Sequence, residues 1–230
     1  TKSISIRRLK KDVLELPDKK FESILVDLKG KQKDMYNQLK NDLYLEISNM
    51  NGNQIIDESE NILKRLLRLN QIASNPKLID GSYDEEPIKF LILDELIKDI
   101  LGKNEKLIIW SSFIENILTL KSKYKKYGAV TIFGKMNIED RNTAVIKFLN
   151  DTDCKIMIAN PAAAREGLTL TAANNAIYVD RSFNLVDYIQ SQDRIHRISQ
   201  IKDCKIMNIL ANDTIDMYID EVIFKKQNIA

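Results

Sequence analysis

Apolar residues recur along the chain in two different patterns, and the first, a helical spacing, covers residues 32–72. Between residues 32 and 50 they fall at helical spacing, at Met35, Tyr36, Leu39, Leu43, Ile47 and Met50. A second run from Ile62 to Ile72 repeats the pattern. The spacing predicts two amphipathic helices. A polar Gly/Asn loop at residues 49–54 separates them, and a Pro- and Gly-containing break follows at residues 75–87.

After the break, short apolar runs alternate with helical patterns. Strands are predicted at residues 107–110, 130–133, 156–159, 177–179 and 206–210. Helices are predicted at residues 87–101, 114–126, 138–149, 185–195 and 214–225. This alternation is typical of a parallel sheet with helices on both faces, because parallel neighbours need crossover connections. We therefore predict an α/β domain over residues 87–230, preceded by a helical element over residues 1–86.

Ligands of open parallel sheets usually bind at the carboxyl ends of the strands. The loops after Trp110, Ala159 and Val179 are therefore where we expect the functional site.

Composition narrows the class of protein without choosing a function. The chain has 230 residues, 44% hydrophobic and 30% charged, with a net charge of +2, which suits a globular protein with a core but does not by itself indicate nucleic-acid binding. Cys154 and Cys204 each begin an apolar run, which favours buried, reduced thiols. With one histidine, the chain has too few soft ligands for a zinc site.

No apolar stretch approaches the ~20 residues of a membrane span and no signal peptide opens the chain, so we expect an intracellular protein without a membrane partner. Because the sequence starts at Thr1 without a methionine, we expect it to be a piece of a longer protein.

Two arginines stand three residues apart in the segment QSQDRIHRISQ, residues 190–200. On a helix or helical turn, Arg194 and Arg197 share one face. A forked, permanently charged guanidinium suits the charge that spreads over a transferring phosphoryl group. Taken alone, such a pair is more often found on a surface helix with ordinary salt bridges.

The segment resembles motif VI, Q-A-x-D-R-x-H-R-x-G-Q, of the Swi/Snf-like DNA-dependent ATPases of helicase superfamily two. Ser191 and Ser199 stand for the alanine and the glycine of that motif. The resemblance implies ATP with magnesium as cofactor. It implies a catalytic group of Gln190, Arg194 and Arg197, and nucleotide contacts from Gly167, Asp193, Arg194 and Arg197.

REGLTLTAANNAIYVD, residues 165–180, is similar to motif V of the same family, although Arg165 replaces a glycine and Thr169 an asparagine. The residues themselves indicate a loop where a glycine permits close backbone approach and threonine hydroxyls can meet phosphate; the alternative is a plain turn. LIIWSSF, residues 107–113, resembles motif IV, and a spaced G…R…F block follows. The resemblance implies contacts to DNA phosphates from Ser111, Ser112, Gly134, Lys135, Thr169 and Thr171.

The first third of the chain also matches the family. IRRLKKDVLELPDKK, residues 6–20, is similar to the stretch that links the two lobes of these enzymes. LLRLNQIASNPKLI, residues 66–79, is similar to a segment that reads L-R-x-I-C-x-H-P, with Asn75 in place of the histidine. The resemblance thus covers nearly the whole chain and implies a RecA-like sheet, the second helicase lobe, behind a family-specific helical element.

The phosphate-binding pattern G-x-x-x-x-G-K-[ST] does not occur in the sequence. The resemblance therefore implies the C-terminal lobe of an ATP-dependent double-stranded-DNA translocase, inactive alone, whose arginines act on ATP held by an N-terminal RecA-like lobe. Further expected partners are duplex DNA and a nucleoprotein target, in a bacterial cytoplasm or a eukaryotic nucleus. Two alternatives remain open: a stand-alone DNA-binding or protein-docking module, and an RNA-acting enzyme, which residues 6–20 argue against.

Overall fold

Six parallel strands form the central sheet of this computed structural model, which describes residues 16–165 and 167–229. The strands are β1 (Lys19–Val26), β2 (Lys106–Trp110), β3 (Val130–Ile132), β4 (Ile156–Ala159), β5 (Ala173–Tyr178) and β6 (Cys204–Ala211). Their order across the sheet is β1-β6-β5-β2-β4-β3, and every neighbouring pair is parallel. The predicted α/β class with a parallel sheet is confirmed.

The helices of the described residues connect these strands. They are α1 (Gly30–Ser48), α2 (Gly52–Asp57), α3 (Ser59–Ser74), α4 (Ile88–Gly102), α5 (Ile114–Lys123), α6 (Ile138–Asn150), α7 (Leu185–Gln192) and α8 (Ile215–Ile229). Single 3-10 turns lie at Pro76–Leu78, Lys125–Tyr127 and Pro161–Arg165. Each predicted helix has a counterpart, but the helix predicted over residues 185–195 ends at Gln192.

Both faces of the sheet are covered. Successive side chains of a strand point to opposite faces, and every residue of β4 and β5 is buried. The core includes large side chains from the strands and from the helices before and after them, among them Trp110, Phe90 and Phe148. Near-continuous apolar strands of this kind are what a parallel sheet between two helical layers requires.

Strand β1 was not predicted from the sequence. It pairs with β6 residue by residue, from Lys19 opposite Cys204 to Val26 opposite Ala211. As an edge strand it leaves most of its side chains exposed, so its sequence, KKFESILV, lacks the apolar run by which the inner strands were found.

The helical element shares its core with the sheet. Tyr36, Leu43, Leu69 and Ile72, from α1 and α3, belong to the same hydrophobic cluster as the inner strands. The division at residue 87 stays a prediction, although the sheet takes its edge strand from the N-terminal side of that position.

A buried ion pair links α4 to the start of α8. Lys89 is fully buried, and its ammonium lies 2.5 Å from a carboxylate oxygen of Asp216 and donates to the Val179 carbonyl at 2.9 Å. The same carboxylate accepts from the Ala211 amide at 2.8 Å. Because both charges are paired and hydrogen-bonded, their burial is tolerated.

Helix α7 runs from the carboxyl ends of the strands, called here the carboxyl edge of the sheet, to their amino ends, the amino edge. It begins beyond the carboxyl end of β5, where the Asn184 side chain accepts from the backbone amides of Val186 and Asp187. It ends near the amino end of β1, because Lys19 donates to the Gln192 side chain at 3.4 Å. Residues that follow α7 therefore lie at the amino edge of the sheet.

Both cysteines are buried and unpaired, as predicted. Within residues 16–165 and 167–229, no helix combines the length and the apolar character needed to cross a bilayer.

Candidate functional site

The arginine segment follows α7 as a series of tight turns. The amides of Arg194 and Ile195 donate to the carbonyls of Ser191 and Gln192, each at 3.2 Å, which carries the chain through one more helical turn. Both guanidinium groups then reach the Leu168 carbonyl, Arg194 at 3.3 Å and Arg197 at 3.4 Å. The two arginine side chains thus point toward the same loop, which agrees with the shared face that their spacing predicted.

The loop that receives them is the predicted motif V segment. Arg197 donates to the Gly167 carbonyl at 3.1 Å and to the Thr169 hydroxyl at 2.8 Å. Gly167 has a φ of +72°, a left-handed conformation that glycine adopts without strain. The Thr171 and Ser199 hydroxyls lie 2.8 Å apart. Two segments that are distant in the sequence therefore form one cluster.

This cluster lies at the amino edge of the sheet, and not at the carboxyl edge where we expected the site. The Leu170 amide donates to the Arg194 carbonyl at 2.9 Å, three residues before β5 begins. The Cys204 thiol, at the start of β6, contacts the Ile195 carbonyl at 3.7 Å. The physical reason is that α7 runs back across the sheet, and the loop after Ala159 crosses from the carboxyl end of β4 to the amino end of β5.

The two arginines differ in exposure. Arg194 is only 9% exposed, and its Nε donates to the Gln190 carbonyl at 3.0 Å. Burial lowers the pKa of Arg194, and the neighbouring charge of Arg197 lowers it further, against a smaller opposite effect of Asp193. Arg194 still keeps its proton, because a guanidinium ionises far above neutral pH. Arg197 is exposed. Of the two guanidinium groups, that of Arg197 is therefore the one accessible to solvent.

Three other residues of the segment that match the family pattern hold it against neighbouring parts of the chain. His196 Nε2 lies 2.8 Å from the Pro17 carbonyl, a contact that requires the proton on Nε2. The Gln200 side chain donates to the Ala173 carbonyl at 2.9 Å and to the Ile195 carbonyl at 3.1 Å. Asp193 lies 3.8 Å from the Lys19 ammonium. These contacts hold the turn that carries Arg197.

The other predicted DNA contacts lie at the opposite edge. Ser111 and Ser112 follow β2 directly, and Gly134 and Lys135 form an exposed turn between β3 and α6. Ser111 has no exposed surface, and its hydroxyl donates to Asp180 at 2.7 Å. Its predicted contact with DNA is therefore not supported, because the hydroxyl already serves a buried carboxylate. Ser112 is half-buried.

Sequence reasoning missed the network around Asp180. This carboxylate is 2% exposed and accepts from the Ser74 hydroxyl at 2.8 Å, the Ser112 amide at 2.6 Å and the Asn116 amide group at 3.2 Å. No pattern in the sequence links Asp180 to Ser74, Ser112 and Asn116, because these residues are far apart along the chain.

Two family models match the chain. A model described as the helicase conserved C-terminal domain matches residues 89–199, and one described as the SNF2-related domain matches residues 1–78. Together they cover most of the chain, on either side of residue 87.

Individual proteins agree with the family models. The chain is 30% identical, over its whole length, to 22% of an uncharacterized ATP-dependent helicase of Mycoplasma genitalium. It superposes on the Sulfolobus solfataricus SWI2/SNF2 ATPase C-terminal domain with a TM-score of 0.74 at 22% identity, covering 91% of this chain and 87% of that one. It also superposes on the SWI2/SNF2 ATPase core of Sulfolobus solfataricus in complex with double-stranded DNA. The TM-score is 0.78 at 26% identity, and the match covers 97% of this chain and 48% of that one.

The fold and the matches define the C-terminal, RecA-like domain of a helicase-like ATPase. The chain belongs to the SNF2-related family. It spans about a fifth, 22%, of the length of the Mycoplasma relative.

Proposed function

We propose that this chain is the second lobe of an ATP-dependent translocase on double-stranded DNA, and that it supplies arginine to ATP bound on an N-terminal lobe. The observation that carries the proposal is the exposed Arg197 guanidinium, held by the loop at residues 167–169. Within the described residues, the oxygens that accept from Arg197 are uncharged, so its positive charge is available to an anion.

The proposed chemistry is electrostatic. ATP and its magnesium ion would be held mainly by the absent lobe, and a preorganised guanidinium would stabilise the charge that develops on the γ-phosphate. Arg197 is the finger in this proposal. Arg194 is mostly buried and holds the loop through the Leu168 carbonyl, while Gln190 supplies a backbone acceptor.

The carboxyl edge is the proposed DNA surface. Ser112, Gly134 and Lys135 lie there, and an exposed lysine beside a glycine turn suits a phosphate contact. Thr169 and Thr171 are instead proposed to belong to the arginine cluster. The Thr169 hydroxyl accepts from Arg197, and the Thr171 hydroxyl pairs with that of Ser199. The ATPase core from Sulfolobus that this chain superposes on is bound to double-stranded DNA, which supports a DNA partner.

Other partners follow from the same proposal. That Sulfolobus core is about twice as long as the matched part, since the chain covers 48% of it. An N-terminal lobe of the same protein is accordingly the proposed partner of the arginine cluster. A nucleoprotein target, and a location in a bacterial cytoplasm or a eukaryotic nucleus, complete the proposal.

The test is DNA-dependent ATPase activity of the full-length parent. We expect ATP turnover to rise on addition of duplex DNA of any sequence. Lys135→Ala should raise the DNA concentration for half-maximal turnover and reduce the slope of log affinity against log salt by about one. The matched control is Lys155→Ala, at the amino edge of the same sheet, where the ammonium donates to Asn104. Nucleotide-insensitive DNA binding by the parent would instead favour a docking module.

A further inference from the structure

A buried carboxylate at the carboxyl edge joins three parts of the chain. Asp180 follows β5 by two residues and is 2% exposed. Oδ2 accepts from the hydroxyls of Ser74, at 2.8 Å, and Ser111, at 2.7 Å. Oδ1 accepts from the Ser112 amide at 2.6 Å. Hydrogen bonds to an ionised acceptor are the strong ones, so this carboxylate fixes its neighbours firmly.

The peptide groups of Ser112 are held on both sides. Its amide donates to Asp180, and its carbonyl accepts from the Asn160 side chain at 3.0 Å. Asn160 directly follows β4. Loops from two neighbouring strands therefore clamp one residue of the loop after β2. Among the described residues, the Ser112 hydroxyl has no hydrogen-bond partner.

The same carboxylate reaches the helical element. Ser74 is the last residue of α3. Asn116, in α5, donates to the Ser74 hydroxyl at 2.9 Å and accepts from the Asn75 side chain at 2.9 Å. Ser74 and Asn75 thus complete the network around Asp180.

We propose that Asp180 is a positioning residue for DNA. It holds Ser112 so that the free hydroxyl meets a phosphate of the duplex, and it ties this contact to the end of α3. The inference rests on the proposed function, because it assumes that the carboxyl edge binds DNA. An asparagine cannot replace the carboxylate, since its amide group is a donor and would face the donors that the carboxylate now satisfies.

The experiment compares variants of the full-length parent in DNA-stimulated ATPase assays. For Asp180→Asn we expect the DNA concentration for half-maximal turnover to rise about tenfold, the size of one lost hydrogen bond to a charged group. The KM for ATP and kcat at saturating DNA should stay within about twofold, because the arginine cluster lies at the other edge. Ser112→Ala should show the same shift. The variant that combines Asp180→Asn with Ser112→Ala should raise the half-saturating DNA concentration no further than either single variant, because both substitutions remove the same contact.

The matched control is Asn175→Ala. Asn175 is 4% exposed, lies near the amino end of β5, the strand that Asp180 follows, and its side chain donates to Glu105 and Asn174. It loses buried hydrogen bonds without touching the clamp. If Asp180→Asn does not fold, Asn160→Ala removes the other side of the clamp, and the same shift in half-saturation is expected.

The outcomes separate the inference from the function. A DNA-stimulated parent in which Asp180→Asn and Asn160→Ala behave like Asn175→Ala, or in which the Ser112 effect is additive, overturns the inference alone. A wild-type parent that neither binds duplex DNA nor is stimulated by it overturns the proposed function and the inference together.

Discussion

Arg194 and Arg197 share the Leu168 carbonyl as an acceptor, yet only one of them is open to a ligand. Arg194 is buried beneath the loop that it holds, while Arg197 extends from the following turn. A finger acts in the transition state, so it must reach the nucleotide, whereas a residue that shapes the loop acts through its neighbour. In the proposed site, Arg197 therefore supplies the exposed charge and Arg194 holds the loop beside it.

The thiols give a direct test of burial. Cys204 has no exposed surface, and burial raises its pKa to about 11. Cys154 is also fully buried, and burial raises its pKa as well. Because the thiolate is the reactive form, we expect the folded chain at pH 8 to resist alkylation by iodoacetamide.

Mass spectrometry after brief labelling checks this expectation. Both cysteines should become labelled once the chain is unfolded in denaturant. Rapid modification of either cysteine in the folded chain would contradict the described core.

At the scale of elements, the inner strands and the helices could be predicted from the spacing of apolar residues in the sequence. The inner strands were found because they are apolar on both faces, and the helices because their apolar stripes recur at 3.6 residues. Strand β1 was missed because an edge strand with Lys19, Lys20 and Glu22 shows neither signal. The position of the arginine cluster was missed as well. The predicted parallel sheet already implied this edge, because a crossover helix between parallel strands returns to the amino end of the next strand, and Arg194 and Arg197 directly precede β6.

Gly128 tests the connection between α5 and β3. It has a φ of +65°, and a Cβ there would lie 2.5 Å from the Asp153 carbonyl oxygen. Gly128→Ala must therefore strain the backbone and displace a neighbouring loop, at a cost of more than about 2 kcal/mol of unfolding free energy.

Gly102→Ala is the control for that substitution. Outside its own helix and its chain neighbours, a Cβ at Gly102 meets no atom within 4 Å, and the residue ends α4. Its replacement should leave stability unchanged or raise it by up to about 1 kcal/mol. Equal midpoints of urea unfolding for the two variants would contradict the close approach of Gly128 to Asp153.

At the scale of the whole molecule, the proposed nucleotide and DNA surfaces lie at opposite edges of one sheet. Helix α7 and the loop after β4 are two of the segments that run between these edges. The sequence lacks the G-x-x-x-x-G-K-[ST] pattern that cradles nucleotide phosphates.

The isolated chain should therefore hydrolyse no ATP above a buffer blank. It should bind duplex DNA weakly, without sequence preference, and with a steep dependence on salt, because phosphate contacts carry the affinity. Phosphate release and fluorescence anisotropy measure the two properties. ATP turnover by the isolated chain would show that a complete active site lies within these residues.

The central claim is that Arg197 acts on ATP held by another lobe, and steady-state kinetics of the full-length parent test it most directly. Arg197→Ala should lower DNA-stimulated kcat on the order of 10³-fold with ATP and DNA binding retained, and Arg197→Lys should not restore it, because an ammonium lacks the planar fork. Lys202→Ala, an exposed cation near the same edge, is the matched control and should leave kcat unchanged. Arg194→Ala should also abolish turnover, through loss of the loop. Near-wild-type kcat for Arg197→Ala in a folded protein would contradict the account.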